Sequence, residues 1–417
     1  MFEISLTRLN EPIFTCGWLH SGPMRNLLTH NLAHRYRTSL WTALIAVCAV
    51  CVSLAHAATP TPKAAASKHQ TSAAAKKKAP PRSGANVVKG KAFGHSVAVR
   101  ELAKTIARQQ QLPQAWVQKQ IAKARLVPAI LTMVLPPASV QQKNWTAYRA
   151  RFLTDCRIQT GVKFWRDHAL LLDQALVIYG VAPQYIVGII GVETFYGQYQ
   201  GQYKLLDALA TLSLQFPAAH PQASERKAFF QNELAYFLKQ QKTQPSQTPP
   251  LGSYAGASGW PQFMPSSIAR FAVDFDGDGR IDLSNSTADA IGSVANYFKA
   301  YGWQPNMPTH FEVNTGSIHE DDLNALLAPD IVPSWSVAHL QSKQAVLEDS
   351  ALSFGKPLAL VQLHNAGNPP SYVAGTENFF VITRYNRSSY YALAVIELGH
   401  AVAHAMANPP ENSSNCW

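Results

Sequence analysis

Glu193 stands in the run YIVGIIGVETFYGQYQG, Tyr185 to Gly201, as a lone carboxylate among apolar residues. Glu is seldom buried without a partner, and no Lys or Arg lies between Arg166 and Lys204. Pro183 suits the first turn of a helix. In that helix Ile186, Ile189 and Ile190 precede Glu193 by seven, four and three residues and share its face. Desolvation there penalises the charged form and raises the carboxyl pKa. A carboxyl protonated near neutral pH is what general-acid cleavage of a glycosidic bond requires. The reading without chemistry is a Glu turned to solvent or paired with a buried cation.

Three further segments carry reactive or binding groups. GSYAGASGWPQFMPSS, Gly252 to Ser267, has too many small residues and prolines for an ordinary helix. Such a loop lets a ligand approach the backbone, and Ser253, Tyr254, Trp260 and Gln262 offer hydroxyl, stacking and amide groups suited to a sugar. The plain alternative is a connector ending in a helix start at Pro265–Ser267. DFDGDGRIDLSN matches the first half of an EF-hand loop, with Asp274, Asp276, Asp278, Gly279 and the Arg280 carbonyl in sequence. Its twelfth position is the neutral Asn285, which weakens the site, and Asp282 at the ninth position is a candidate to compensate. The loop therefore admits a weakly held structural calcium ion, with no cofactor required for the chemistry. In FFVITRYNRSSYYALAV, Tyr385, Asn386, Tyr390 and Tyr391 cluster between an expected strand and a helix. Interface packing is their alternative role.

The elements that must position these groups are mainly helical. SVAVRELAKTIARQQQ, PQAWVQKQIAKAR, the segment from Asn144 to Gly180, KLLDALATLSLQF and ERKAFFQNELAYFLKQQ carry apolar residues at helical spacing. From about 306 to 380 the texture changes. HFEVNTG, SVAHLQS, ALSFGKPLALVQLHN, SYVAGT and FFVITRYN predict a small inserted sheet. SYYALAVIELGHAVAHAMA then closes the chain as a helix. The expected class is α+β, with a helical body at about 92–305 and 380–407. No internal repeat is visible.

The formal charge of the 417-residue chain, +11, belongs to a tail. Residues 58–91 hold Lys63, Lys68, Lys76, Lys77, Lys78, Arg82, Lys89 and Lys91 with no acid, a net of +8, whereas residues 92–417 carry only +1. That segment reads as a basic Ala/Pro/Lys tether, either a solvated spacer or a weak, salt-sensitive contact with an anionic envelope surface. A nucleic-acid partner is not expected. Residues 1–57 read as an export leader: HRYRTS, then LWTALIAVCAVCVSLA, then the small-x-small AHA ending at Ala57. The alternatives are a start at Met24, an uncleaved anchor, or lipidation at Cys48 or Cys51, although Val precedes each Cys. Leader cleavage would leave Cys156 and Cys416, a pair that an oxidising compartment would allow to bond, the alternative being two unpaired thiols with Cys416 in a polar tail. No zinc spacing, phosphate-binding loop or Gly-x-Ser-x-Gly motif occurs. A second carboxylate near Glu193 is also missing; Asp207 lies 14 residues on and reads as a residue that caps or packs a helix.

GVETFYG, LDALATLS, SYAGASGWPQFMPSS, AVDFDGDGRIDL, ADAIGSVANYFKAYGW and NFFVITRYNRSSYYALAV together resemble the membrane-bound lytic murein transglycosylase B family, in that family's order, over roughly residues 95–407. The resemblance implies a lysozyme-like core with an added helical domain and a small β domain. It implies that Glu193 is the single acid and base, and that Ser253, Gln262, Tyr297, Tyr385, Asn386 and Tyr391 line a sugar cleft. It implies a calcium loop at Asp274, Asp276, Asp278, Arg280 and Asn285, the last departing from the usual carboxylate. The activity it implies is non-hydrolytic cleavage of the bond between N-acetylmuramic acid and N-acetylglucosamine, giving 1,6-anhydromuramoyl ends. The implied partner is the peptidoglycan strand, the compartment is the periplasm with or without membrane attachment, and the expected state is a monomer. The rivals are a hydrolytic muramidase, which needs a second positioned carboxylate, and a wall-binding protein without activity.

Overall fold

The computed structural model describes residues 90–136 and 143–408. The leader, all but the end of the basic tether, and Cys416 lie outside the described residues.

The chain opens with α1 (Val97–Gln110), α2 (Gln114–Lys123) and α3 (Pro128–Met133). There follow α4 (Trp145–Ala150), α5 (Asp155–Asp167), α6 (Ala169–Tyr179) and α7 (Pro183–Thr194). The apolar segment from Asn144 to Gly180 is thus three helices. Thr154 caps α5, and Gly180 ends α6 in the left-handed conformation at φ 72°. Next come β1 (Tyr203–Lys204), α8 (Leu205–Gln215), α9 (Ala223–Thr243), β2 (Leu251–Gly252), α10 (Pro265–Phe271) and α11 (Thr287–Ala300). The β-rich part holds β3 (His310–Asn314), α12 (Glu320–Leu327), α13 (Val337–Ser342), β4 (Val346–Leu347), β5 (Ala359–Asn365) and β6 (Asn368–Gly375). The last helices are α14 (Glu377–Thr383) and α15 (Ser389–Ala407).

Three buried clusters organise these elements. The central one joins α4–α7, α11, α14, α15 and the inner face of β5 and β6, including Val361, Leu363 and Val373. A second packs α1, α2 and α3 on α8 and α9. A third fills the outer face of an antiparallel sheet of order β4-β3-β6-β5, under α12 and α13. The sheet segment leaves and returns at one point, where Thr376 Oγ1 donates to the Pro308 carbonyl at 2.7 Å.

Two expected strands are helices. In SVAHLQS, Ser336 Oγ accepts from His339 N at 3.1 Å as an N-cap. Val337 and Leu340, three apart, supply the buried face of α13. In FFVITRYN, α14 buries Asn378, Phe379, Val381, Ile382 and Thr383. A helix buried nearly all round leaves no polar face to reveal its period. Tyr385 and Tyr391 therefore lie at a helix–helix corner.

The packing that matters most for the site is α7 on α15. Gly188 faces the Val395 carbonyl and Gly399 faces the Gln184 carbonyl, and a Cβ at either position would collide with that oxygen. The two backbones meet because both contact points lack a side chain.

Candidate active site

Glu193 is the penultimate residue of α7. Tyr391, in the first turn of α15, donates its hydroxyl to Glu193 Oε1 at 2.6 Å. The Glu193 residue is half-buried, so a ligand can reach it. The apolar surroundings of its carboxyl push the pKa up to about 7, and the Tyr391 hydrogen bond opposes that rise. The Tyr391 phenol is held neutral, well above its ordinary value, first by burial and then by the Glu193 charge. It therefore acts as a donor. The isoleucines at 186, 189 and 190 are fully buried, as their spacing predicts.

Tyr385 stacks on Tyr391 with ring centroids 6.4 Å apart and donates to the Pro261 carbonyl at 2.8 Å. That bond ties the Gly252–Ser267 loop to the acid's surroundings. Tyr297 lies behind: its hydroxyl donates to the Arg384 carbonyl at 2.6 Å, its ring is 4.8 Å from Tyr385, and it is buried. It supports Tyr385 and presents little surface of its own. Asn386 carries a buried Oδ1 with no hydrogen-bond partner in the structure, although buried acceptors are normally paired. Tyr390 turns the other way: its hydroxyl accepts from His364 N at 2.6 Å and belongs to the sheet interface.

Within the loop, Ser253 Oγ accepts from Ala257 N at 3.0 Å, which folds the small-residue turn and leaves its proton free to donate. Gln262 adopts φ 49° and donates its amide to the carbonyls of Gln200 and Gly259 at 3.1 and 2.9 Å. Trp260 anchors the middle. Its N and Nε1 donate to the carbonyls of Leu283 and Ser284 at 2.9 and 3.2 Å. The other buried acids have structural partners. Glu233 accepts from Ser266 N and Oγ at 2.8 and 2.7 Å, and Asp207 accepts from Arg125 N at 2.9 Å. Among the described residues the hydrogen-bond partner of the Glu193 carboxyl is Tyr391.

The acidic loop differs from its expected ligand set. Asp274, Asp276 and Asp289 bring one oxygen each within 4.8 Å of one another. Asp278 is not in this group. Asn285 Nδ2 donates to both Asp282 oxygens, at 3.1 and 2.9 Å, because a side-chain amide beside a carboxylate pairs with it. Asp289, from within α11, joins the cluster and also accepts from Phe275 N and Asp282 N at 2.9 and 2.7 Å. The missed signal was Ser286–Asp289, a Ser followed three residues later by an acid at a helix start. Three carboxylates fit a hard, oxygen-seeking cation.

The sequence model of the family described as "Transglycosylase SLT domain" matches residues 95–400. The membrane-bound lytic murein transglycosylase B of Escherichia coli strain K12 is 39% identical over 290 residues, which span 66% of this chain and 71% of that protein. The E. coli lytic transglycosylase SLT35 solved in complex with calcium superposes with a TM-score of 0.66 at 34% identity, covering 77% of this chain and 97% of that one. The soluble lytic transglycosylase SltB1 of Pseudomonas aeruginosa gives 0.65 at 36% identity, over 74% and 99% of the two chains. On this agreement of sequence and fold, the chain belongs to the membrane-bound lytic murein transglycosylase B family.

Proposed function

We propose that this chain is a lytic transglycosylase of peptidoglycan in which Glu193 is both acid and base. The observation that carries the reading is a single enclosed carboxyl, held near pKa 7 and oriented by Tyr391. Protonated Glu193 gives its proton to the oxygen leaving C1 of N-acetylmuramic acid. The sugar's 2-acetamido group stabilises the oxocarbenium-like centre. Ionised Glu193, now accepting a stronger bond from Tyr391, takes the proton of the sugar's own 6-hydroxyl as that oxygen closes onto C1. A tethered nucleophile has a high effective concentration, so no water needs activation. One carboxyl then suffices where hydrolytic glycosidases use two.

Asn386 Oδ1, the Ser253 hydroxyl and the Gln262 carbonyl are assigned to sugar hydroxyl and acetamido groups, with Tyr385 as the aromatic wall and the buried Tyr391 as the donor behind Glu193. Asp274, Asp276 and Asp289 are assigned to a structural calcium ion, which takes no part in the chemistry. The murein substrate puts the work of the enzyme in the cell envelope.

Digestion of peptidoglycan in oxygen-18 water tests the reaction. The expected products are unlabelled 1,6-anhydromuramoyl ends with no gain in reducing ends. Labelled reducing sugars as the main product would make the protein a hydrolase, and intact strands would leave it a binding protein.

A further inference from the structure

Thr194, next to the acid, is fully buried. Its Oγ1 donates to the Trp260 carbonyl at 2.9 Å, with a longer 3.3 Å approach to the Ile190 carbonyl, and accepts from Gly197 N at 3.0 Å. Both main partners lie outside the helix. The first belongs to the small-residue loop. The second belongs to a turn in which Phe195 and Tyr196 hold φ 50° and 54°, a conformation costly for residues with a Cβ.

These bonds close a ring around the carboxyl. Thr194 fixes the Trp260 carbonyl to the end of α7. The next carbonyl, that of Pro261, accepts from Tyr385. Tyr385 stacks on Tyr391, and Tyr391 donates to Glu193 Oε1. Glu193 and Thr194 are consecutive, so the ring returns to its start. Every link but one is made by a residue facing the acid or by backbone. That remaining link is the Thr194 hydroxyl.

We propose that Thr194 is a positioning residue for Glu193: its hydroxyl sets the separation between the acid's backbone and the Trp260–Pro261 carbonyls on which the tyrosine wall is hung. This rests on the reading of Glu193 as the acid. A displacement of about 1 Å in such a constellation is enough to cost up to roughly a hundredfold in rate. A packing role alone would depend on the threonine's shape, which valine reproduces.

The test compares T194V, T194S and E193Q with the wild type for release of anhydromuramoyl product, with Tm measured on each. T194V is expected to stay folded and to lose about 10- to 100-fold in kcat with KM within about threefold. T194S, which keeps the hydroxyl, is expected to recover most of the rate. Y385F should add little to T194V, because both open the same ring. Wild-type kcat in T194V, an equal loss in T194S, or a T194V protein that does not fold would each overturn the proposal. Substantial activity in folded E193Q would instead remove the reading on which it rests.

Discussion

The Tyr391 hydroxyl meets Glu193 Oε1 at 2.6 Å, and the two residues are 198 positions apart in the chain. The bond favours the ionised carboxyl, so it holds the pKa below the value that burial alone would give. Tyr391→Phe should raise that pKa. With Glu193 as the proposed acid, activity should fall as pH rises through about 7, and the variant's alkaline limb should move to higher pH. Loss of a hydrogen bond to a charged group, about 1.5–3 kcal/mol, should also lower kcat roughly 10- to 100-fold. An unshifted pH profile in Tyr391→Phe would separate the phenol from the acid.

Glu193→Gln should abolish cleavage and stabilise the fold at alkaline pH. The folded pKa of about 7 lies above the unfolded value of about 4.5. The wild type therefore has no ionisation penalty below pH 4.5, acquires it between 4.5 and 7, and keeps it above. The penalty is on the order of 3 kcal/mol at most. Thermal melts should give equal Tm values for the two proteins near pH 4 and a higher Tm for the variant at pH 8. Equal values at pH 8 would mean that the carboxyl is well solvated.

Asn386→Ala removes a buried acceptor that has no partner. The free protein should lose no stability, since an unmade hydrogen bond is what disappears. Binding should weaken by about 1–2 kcal/mol, read as a roughly 5- to 30-fold rise in KM for glycan strands. An unchanged KM would take Asn386 out of the sugar cleft.

Millimolar calcium should raise the Tm by a few degrees through preferential binding to the folded state. Asp289→Asn should remove that response. Asn285→Ala should leave it nearly unchanged, because the Asn285 side chain is spent on Asp282. A response that survives Asp289→Asn and falls in Asn285→Ala would restore the standard loop ligands.

Gly188→Ala places a Cβ against the Val395 carbonyl. Relief requires α7 and α15 to separate, and the two helices carry Glu193 and Tyr391. A destabilisation of about 1–3 kcal/mol is expected, with a loss of activity at temperatures where the variant is still folded. Denaturant melts and turnover at low temperature measure the two effects separately.

Much of this site was legible in the sequence, and the parts that were not have physical reasons. Glu193 was visible because one charge in an apolar run breaks a strong pattern. Pro183, Gly180 and Pro265 mark helix ends through backbone chemistry that acts locally. Asp289 was hidden because its role depends on a helix start folding back on the acidic loop, which the EF-hand spacing does not encode. Tyr297 and Tyr385 sit in separate aromatic runs, and only packing decides which one stands in front. α14 was misread because burial on nearly every side erased its polar stripe. Thr194 gave no signal, since a threonine near a helix end is ordinary until its partners are known.

Trp260 connects two regions that chemistry treats separately. Its N and Nε1 are held by the Leu283 and Ser284 carbonyls beside the acidic loop, and its own carbonyl is held by Thr194 beside the acid. A cation bound in the acidic loop would therefore steady the cleft wall, although it would touch no reacting atom. In hydrogen-exchange terms, the amides of Trp260 and Gly197 should open together and slow together when calcium is added. Chelation should then speed exchange at both amides in step, while the chemistry itself asks nothing of the ion.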